Sequence, residues 1–303
     1  MKNTVFVHTN EKQIVGAIVA KHSLKRNSRR PDSFDVQIIE HKDHDFFRQF
    51  EGREFLRAKT KRVWTNDDLQ SFTPLRFMPP ELMGYQGRAV VIDPDVFATG
   101  DVAELLNIDM QGKAILAKPR PGHNGRDDYV ATSVMLLDCA KLKHWNVREN
   151  FAEMFRFERD YDDWITLATE PAGTIGKLDD VWNDFDRLTA ETRLLHNTKR
   201  RTQPWKTGLP IDYTNRIPFP FVAKLLGRNG IRLPLRYKRH PDPRQEQLFF
   251  ALLKECHDLG LVTDELLTAQ MASNHVRHDA VELMKQAPTV DEILTGLQHK
   301  QAA

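Results

Sequence analysis

VVIDPDVFATGDVAELL occupies positions 90–106. Ala89, Val90, Val91 and Ile92 form an apolar, largely β-branched run, the composition of a strand in the middle of a sheet. The run drives straight into Asp93-Pro94-Asp95, and a helix-like stretch follows. Carboxylates at the end of a buried strand lose hydration and repel one another unless a cation offsets them. A hard divalent ion such as Mg²⁺ or Mn²⁺ prefers oxygen ligands and shares them with substrate phosphates. The local pattern leaves a second reading open, a pair exposed just past the strand. The spacing recurs at Asp43/Asp45, Asp160/Asp162 and Asp184/Asp186. With 26 aspartates in 303 positions some such pairs arise by chance, and these three are read as solvated surface charge.

Upstream, TVFVHT (4–9) reads as a strand, QIVGAIVAKHSLKRNS (13–28) as a helix and FDVQIIEHKD (34–43) as a strand. Strand, helix, strand at this spacing implies a parallel sheet. Ligands of such sheets sit at the carboxyl ends of the strands, which singles out Thr9 and Asn10. Both residues also suit a helix N-cap. Residues 46–70 are mixed and charged and read as a helix with loops. Downstream, KAILAKPRP (113–121) and YVATSVMLLD (129–138) read as strands, with Asp138 capping a short helix. Residues 147–190 read as helical and loop-like, and TRLLHNTKRRTQPWKTG (192–208) as a short strand emptying into a basic loop. Beyond Gly208, prolines at 210, 218, 220, 234, 241 and 243 break the chain, and helical spacing resumes over 244–270 and 276–299. The predicted organisation is an α/β domain over 1–208 and a mainly helical appendage over 209–303.

The bulk numbers narrow the class. Hydrophobic residues make up 40% and charged residues 28%, as in ordinary globular proteins. A net charge of +2 from 44 basic and 42 acidic residues argues against a dedicated nucleic-acid binder. Cys139 and Cys256 alone build neither a disulfide framework nor a cysteine zinc site. The opening MKNTVFVHTNEKQ lacks the apolar core of a signal peptide, and no run is long enough to span a membrane, so a cytoplasmic protein is expected.

Several segments together resemble the retaining nucleotide-sugar glycosyltransferases of the glycogenin and lipopolysaccharide galactosyltransferase type, family 8. Where that family reads roughly YLDADxxVxxDLxEL, this chain reads VVIDPDVFATGDVAEL, with Asp101, Glu104 and Leu105 at matching spacing. VFVHTNEKQIVGAIVAKHSLKRNS resembles the family's opening strand, nucleotide loop and helix. FTPLRFMPPEL resembles its xxYxRLxxPxL segment, YVATSVMLLDCAKLKHW its FNSGVMLINLKKW, LDDVWNDFD its LPxxWN stretch, and LLHNTKRRTQPWKTG its IHYxGxxKPW. The likeness spans roughly residues 4–208 and implies a GT-A (Rossmann-like) mixed sheet flanked by helices. It departs at Ala131-Thr132-Ser133, at YDDWITL in place of DQDxLN, and at Gln203, where the family carries lysine.

The resemblance implies roles for particular residues. Asp93, Asp95 and His196 would hold Mn²⁺ or Mg²⁺, although a lone histidine after Leu194-Leu195 also fits a satisfied buried side chain. Arg76, Ser133, Thr9, Asn10 and Asp93 would contact a UDP-hexose donor, UDP-glucose or UDP-galactose first. Lys199, Arg200 or Arg201 would take over the diphosphate contact that the missing lysine leaves; a basic run is otherwise a solvated face. Asp162 and Asp163 lie near the DQD position and are the candidates for the group behind the anomeric carbon, against the alternative of a solvated acidic cluster. The acceptor would be a glycan, lipid-linked or protein group. Seven basic residues over 224–244 suit an anionic membrane surface, an anionic polymer or plain solvation. Two competing readings stand: a transferase relic that binds nucleotide without turnover, and a haloacid-dehalogenase-type phosphatase with Asp93 as nucleophile and Asp95 as acid/base.

Overall fold

A computed structural model describes residues 2–122, 128–213, 215–216, 230–231 and 235–301. Strand β1 (Thr4–Thr9) is buried throughout, as a central strand requires. Helix α1 (Ile14–Arg26) follows, burying Val15, Val19, Ala20 and Leu24 at helical spacing and ending on Lys25 and Arg26, which complement its dipole. It returns the chain to β2 (Asp35–Glu40), parallel to β1 as the spacing predicts.

The stretch expected to be a helix with loops is instead a 3-10 turn over Asp45–Phe50 and a hairpin, β3 (Glu54–Arg57) with β4 (Thr60–Val63). Its turn residues, Ala58 and Lys59, both have positive φ (50° and 58°). They lack the Asn-Gly chemistry that announces such a turn. The Asp160 carboxylate accepts from the Ala58 and Lys59 amides and supplies the missing fixation from a hundred residues away.

Helix α2 (Pro79–Leu82) leads to β5 (Arg88–Ile92), which pairs in parallel with β1. Next come β6 (Val96–Ala98) and α3 (Val102–Leu106), whose N-cap Asp101 accepts from the Ala103 amide. Then β7 (Ile115–Arg120) and β8 (Tyr129–Asp138) follow, β8 running antiparallel between β5 and β7. Asp138 makes no cap; it pairs with Lys141 at 3.3 Å. The expected helix-and-loop region holds α4 (Val147–Phe155), α5 (Tyr161–Ile165) and two short strands, β9 (Ile175–Lys177) and β10 (Asp184–Phe185). Strand β11 (Leu194–His196) completes the first two hundred residues.

The main sheet has the order β2-β1-β5-β8-β7-β9, and β10-β11-β6 form a small second sheet. A separate antiparallel pair joins β12 (Asn215–Arg216) to β13 (Gly230–Ile231). Four helices close the chain: α6 (Pro243–Asp258), α7 (Asp264–Ala272), α8 (Ala280–Gln286) and α9 (Val290–Gln301).

Alternation along the strands builds two apolar layers. Val5, Val7, Val90 and Ile92 point to the face covered by α1 and the C-terminal helices. Phe6, Val91 and Met135 point to an aromatic layer holding Phe47, Phe151 and Trp164. On the first face Phe249 of α6 stacks on Trp205 at 4.8 Å and meets the edge of Phe97, so the C-terminal helices share the core that supports β6 and β11. No helix among the described residues is long and apolar enough to cross a membrane.

Candidate functional site

Parallel strands carry their loops to one end of the sheet, and β5 delivers Asp93 there immediately after Ile92. The Asp93 amide donates to the Ser133 carbonyl on β8, which fixes the turn at its start. Strand β6 then leaves for the small sheet, where His196 pairs with Val96 in antiparallel register. The Asn197 amide donates to the Asp95 carbonyl at 3.0 Å. That register sets an imidazole beside an aspartate a hundred residues earlier. One ligand atom each from Asp93, Asp95 and His196 lies within 4.8 Å of the others, a spacing that could hold a metal ion.

The surrounding bonds orient these groups. His196 Nδ1 lies 2.8 Å from Asn183 Oδ1, while the Asn183 amide nitrogen donates to Ser133 Oγ. With that amide orientation Nδ1 carries a proton, leaving Nε2, 3.2 Å from Asp95 Oδ1, as the ligand atom. Asp95 Oδ2 accepts from Gln203 Nε2 at 3.1 Å. Burial alone would push the imidazole's affinity for a proton down; Asp95 and then Asp93 outweigh it and raise the pKa. Asp93 is held from behind, with His8 Nε2 at 2.9 Å and an Arg76 guanidinium nitrogen at 2.8 Å from Oδ1. Burial opposes its ionisation, but Arg76 and His8 prevail and hold the carboxyl far below the usual carboxylate range. His8 itself is fully buried, which pushes its pKa down despite Asp93.

These groups open into a cleft of about 230 Å³. Because β5 lies between β1 and β8, the cleft has two flanks. Gln13, Leu69 and Phe72 come from the β1 side, and Arg120, Tyr129 and Ser133 from the β7–β8 side; Phe185, Arg200 and Gln203 also line it.

No family model matches the sequence, and no curated protein is similar enough to match it. Solved structures do match. The glycosyltransferase GlyE of Streptococcus pneumoniae TIGR4 superposes with a TM-score of 0.50 at 14% identity, over 91% of this chain and 64% of that one. The chain has a glycosyltransferase fold. It is the GT-A type, with β8 set antiparallel into an otherwise parallel sheet and helices on the faces. The galactosyltransferase LgtC, solved with donor and acceptor sugar analogues, gives 0.46 at 12% identity over 67% of this chain and 89% of its own. Mouse xyloside xylosyltransferase 1 gives 0.42 at 12% identity over 66% and 98%. This chain spans about two thirds of the GlyE structure's length.

On this glycosyltransferase fold the sequence-singled residues separate into two groups. Asp93, Asp95, Ser133, His196 and Arg200 line the cleft, and Arg76 reaches it through Asp93 and Thr132. Thr9 is fully buried with its hydroxyl on the Asn10 carbonyl. Asn10 caps nothing; its amide donates to the carbonyls of Asp68 and Leu69 and to Ser71 Oγ, bracing the loop that carries Leu69 into the cleft. Lys199 and Arg201 are exposed and do not line the cleft. Asp162 and Asp163 face the β3–β4 hairpin, paired with Arg57 and Lys59, and do not line it either.

The three other Asp-x-Asp pairs are not uniformly solvated as expected. Asp160 is 5% exposed, accepting hairpin and α5 amides, and Asp184 is 3% exposed with Thr192 and Arg187 as partners. Local polar cradles bury them, and spacing alone does not distinguish a cradle from solvent. Two residues escape a reading of the sequence. His8 looks like one more strand position. Asn183 carries a signal only through the WN of LDDVWNDFD, since a buried amide's partner is fixed by the fold.

Proposed function

We propose that the protein is a metal-dependent glycosyltransferase that moves a hexose from a nucleoside diphosphate sugar to an acceptor. The observation that carries this is the convergence of Asp93, Asp95 and His196 on one point beside a cleft. The donor set fits Mn²⁺ or Mg²⁺: two carboxylates, and an imidazole whose other nitrogen is tied to Asn183. When bound, the ion would neutralise charge that develops on a departing diphosphate. Asp93 and Asp95 would hold it with His196, while Arg76 and His8 keep Asp93 ionised and pointed into the cleft. Arg200 and Ser133 line the cleft, and in this reading Arg200 would contact the diphosphate and Ser133 the sugar or ribose. UDP-glucose and UDP-galactose are the first donors to try.

Asp93 and Asp95 are the only carboxylates among the described residues that line the cleft. A carboxylate nucleophile therefore has no candidate there, and retention, part of this proposal, rests on attack from the leaving-group face. Asp162 and Asp163, engaged by Arg57 and Lys59, are not carried forward as catalytic. The acceptor is a glycan, lipid-linked or protein group. Contact with an anionic membrane surface through 224–244, from a cytoplasmic position, belongs to the proposal. Arg236 and Lys238 are exposed there, Arg239 and Arg244 pair with Glu246 and Asp242, and Lys224, Arg228 and Arg232 lie outside the described residues. A functional division at Gly208 also belongs to the proposal.

UDP release from UDP-glucose and UDP-galactose, with thermal shifts by UDP, tests this with and without Mn²⁺. A metal-dependent shift and turnover, both lost in Asp95→Ala, are expected. A shift without turnover would favour the relic that binds nucleotide only, and no metal-dependent response would sink the proposal.

A further inference from the structure

Two guanidiniums, of Arg120 and Arg200, line the cleft besides the one that orients Asp93. Arg76 is committed to Asp93. Arg200, from the loop just after His196, rests over the Tyr213 ring and makes no ion pair among the described residues. It is the residue proposed above for the diphosphate. Arg120 is a second guanidinium without an ion pair among the described residues and enters from another direction, at the end of β7. Its guanidinium lies 4.6 Å from the Phe185 ring centre and 5.8 Å from that of Tyr129. Among the described residues it has no acidic partner. Lys118, two residues earlier, differs: its ammonium donates to the Asn183 carbonyl and pairs with Asp180 at 3.4 Å.

The position of Arg120 relative to the metal ligands matters. Phe185 meets the His196 ring edge-on at 5.4 Å, so one aromatic ring touches both a candidate metal ligand and the Arg120 guanidinium. A guanidinium held over aromatic faces is weakly hydrated and keeps its donor fork free for an oxyanion. Phe185 already carries the Lys118 ammonium at 4.3 Å as well as Arg120, so it serves to hold the cations; Tyr129 lines the cleft, is only partly buried and can meet the apolar side of a sugar ring.

The geometry points to an acceptor subsite in which Arg120, held over Phe185, binds the acid group of an acidic sugar, carboxylate or phosphate, whose ring packs on Tyr129. This rests on the glycosyltransferase reading above for the word acceptor, and on the arrangement of these three side chains for the word acidic.

Calorimetric titration of the full chain with three probes separates the two. The probes are methyl glucuronide for the carboxylate, glucose 6-phosphate for the phosphate, and methyl glucoside as the neutral control, each with and without UDP and Mn²⁺. At least one acidic probe is expected to bind about tenfold or more tightly than the neutral one, as a single charge-assisted contact allows. Arg120→Ala and Arg120→Gln should both remove that preference, Arg120→Lys should keep part of it, and all three should leave UDP binding unchanged. Tyr129→Leu should weaken neutral and acidic probes alike. Acidic probes that bind no better than the neutral one overturn the inference, whatever UDP does. An acid preference that depends on Arg120 supports it even where UDP fails to bind, a result that would count against the transferase reading alone. Arg120-dependent preference for UDP-glucuronate over UDP-glucose would put the acid on the donor and overturn the assignment to the acceptor.

Discussion

Asn183 does not line the cleft, yet the candidate metal site depends on it. Its carbonyl oxygen fixes the proton on His196 Nδ1, and its amide nitrogen is anchored on Ser133. Asn183→Leu should leave the fold intact and weaken Mn²⁺ binding by about 10- to 100-fold, the usual effect of removing a ligand's hydrogen-bond partner. Mn²⁺ titration by calorimetry reads this directly, and unchanged affinity would show that His196 needs no orientation or is no ligand. A different histidine sets a pH dependence. Burial, with His44 nearby, pushes the His41 pKa down to about 4, and its ring stacks on Phe47 at 4.1 Å. The unfolded chain then binds the extra proton between 6.5 and about 4, so stability is full above 6.5 and falls as pH drops through that window. His41→Phe should lose less stability than the natural chain across the same window in denaturant melts; parallel curves would refute this. Neither Asn183 nor His41 stands out in the sequence, because what each does is set by a partner that only the fold supplies.

Elements meet at the Asp93-Pro94-Asp95 turn under a tight steric limit. A Cβ on Gly16 of α1 would lie 2.7 Å from the Pro94 carbonyl oxygen. Helix and turn therefore touch backbone to backbone, and glycine is required there by close approach. Gly16→Ala should destabilise by about 1–3 kcal/mol, the range for overpacking. It should also reduce Mn²⁺ affinity, since the turn must shift; a neutral variant would show that α1 yields more easily than the turn. The strand–helix–strand opening and the central strand could be read from apolar periodicity because both are long and buried on regular faces. The β3–β4 hairpin could not. Of its strand residues only Phe55 is buried, and its Ala58-Lys59 turn is held by Asp160 rather than by turn residues of its own. The same holds for β10, two residues long, which exists as a strand because it pairs with β11; β11 itself is the short strand that the sequence predicts before the basic loop.

At the scale of the molecule, the site is built from the middle of the chain and supported by the C-terminal helices over one shared core. Phe97, Trp205 and Phe249 pack together beneath β6 and β11, so α6 supports the register that brings His196 to Asp95. Phe249→Ala should lower stability by about 3–5 kcal/mol, and a chain ended at residue 208 should aggregate with Trp205 and the apolar face of α1 uncovered. A monomeric, UDP-binding fragment would contradict this. Order and spacing of weak motifs were enough to anticipate a GT-A sheet and the Asp93–Asp95–His196 grouping, because both follow from chain topology. The placement of Arg120, Tyr129 and Phe185 was not, since these come from strands that meet only after folding. The central claim is that one divalent ion sits between Asp93, Asp95 and His196 with a nucleoside diphosphate. Anomalous diffraction from crystals grown with Mn²⁺ and UDP tests it most directly. The account predicts a single strong peak bonded to those side chains and to the diphosphate; a cleft holding UDP with no peak there, or with the ion bound elsewhere, would contradict it.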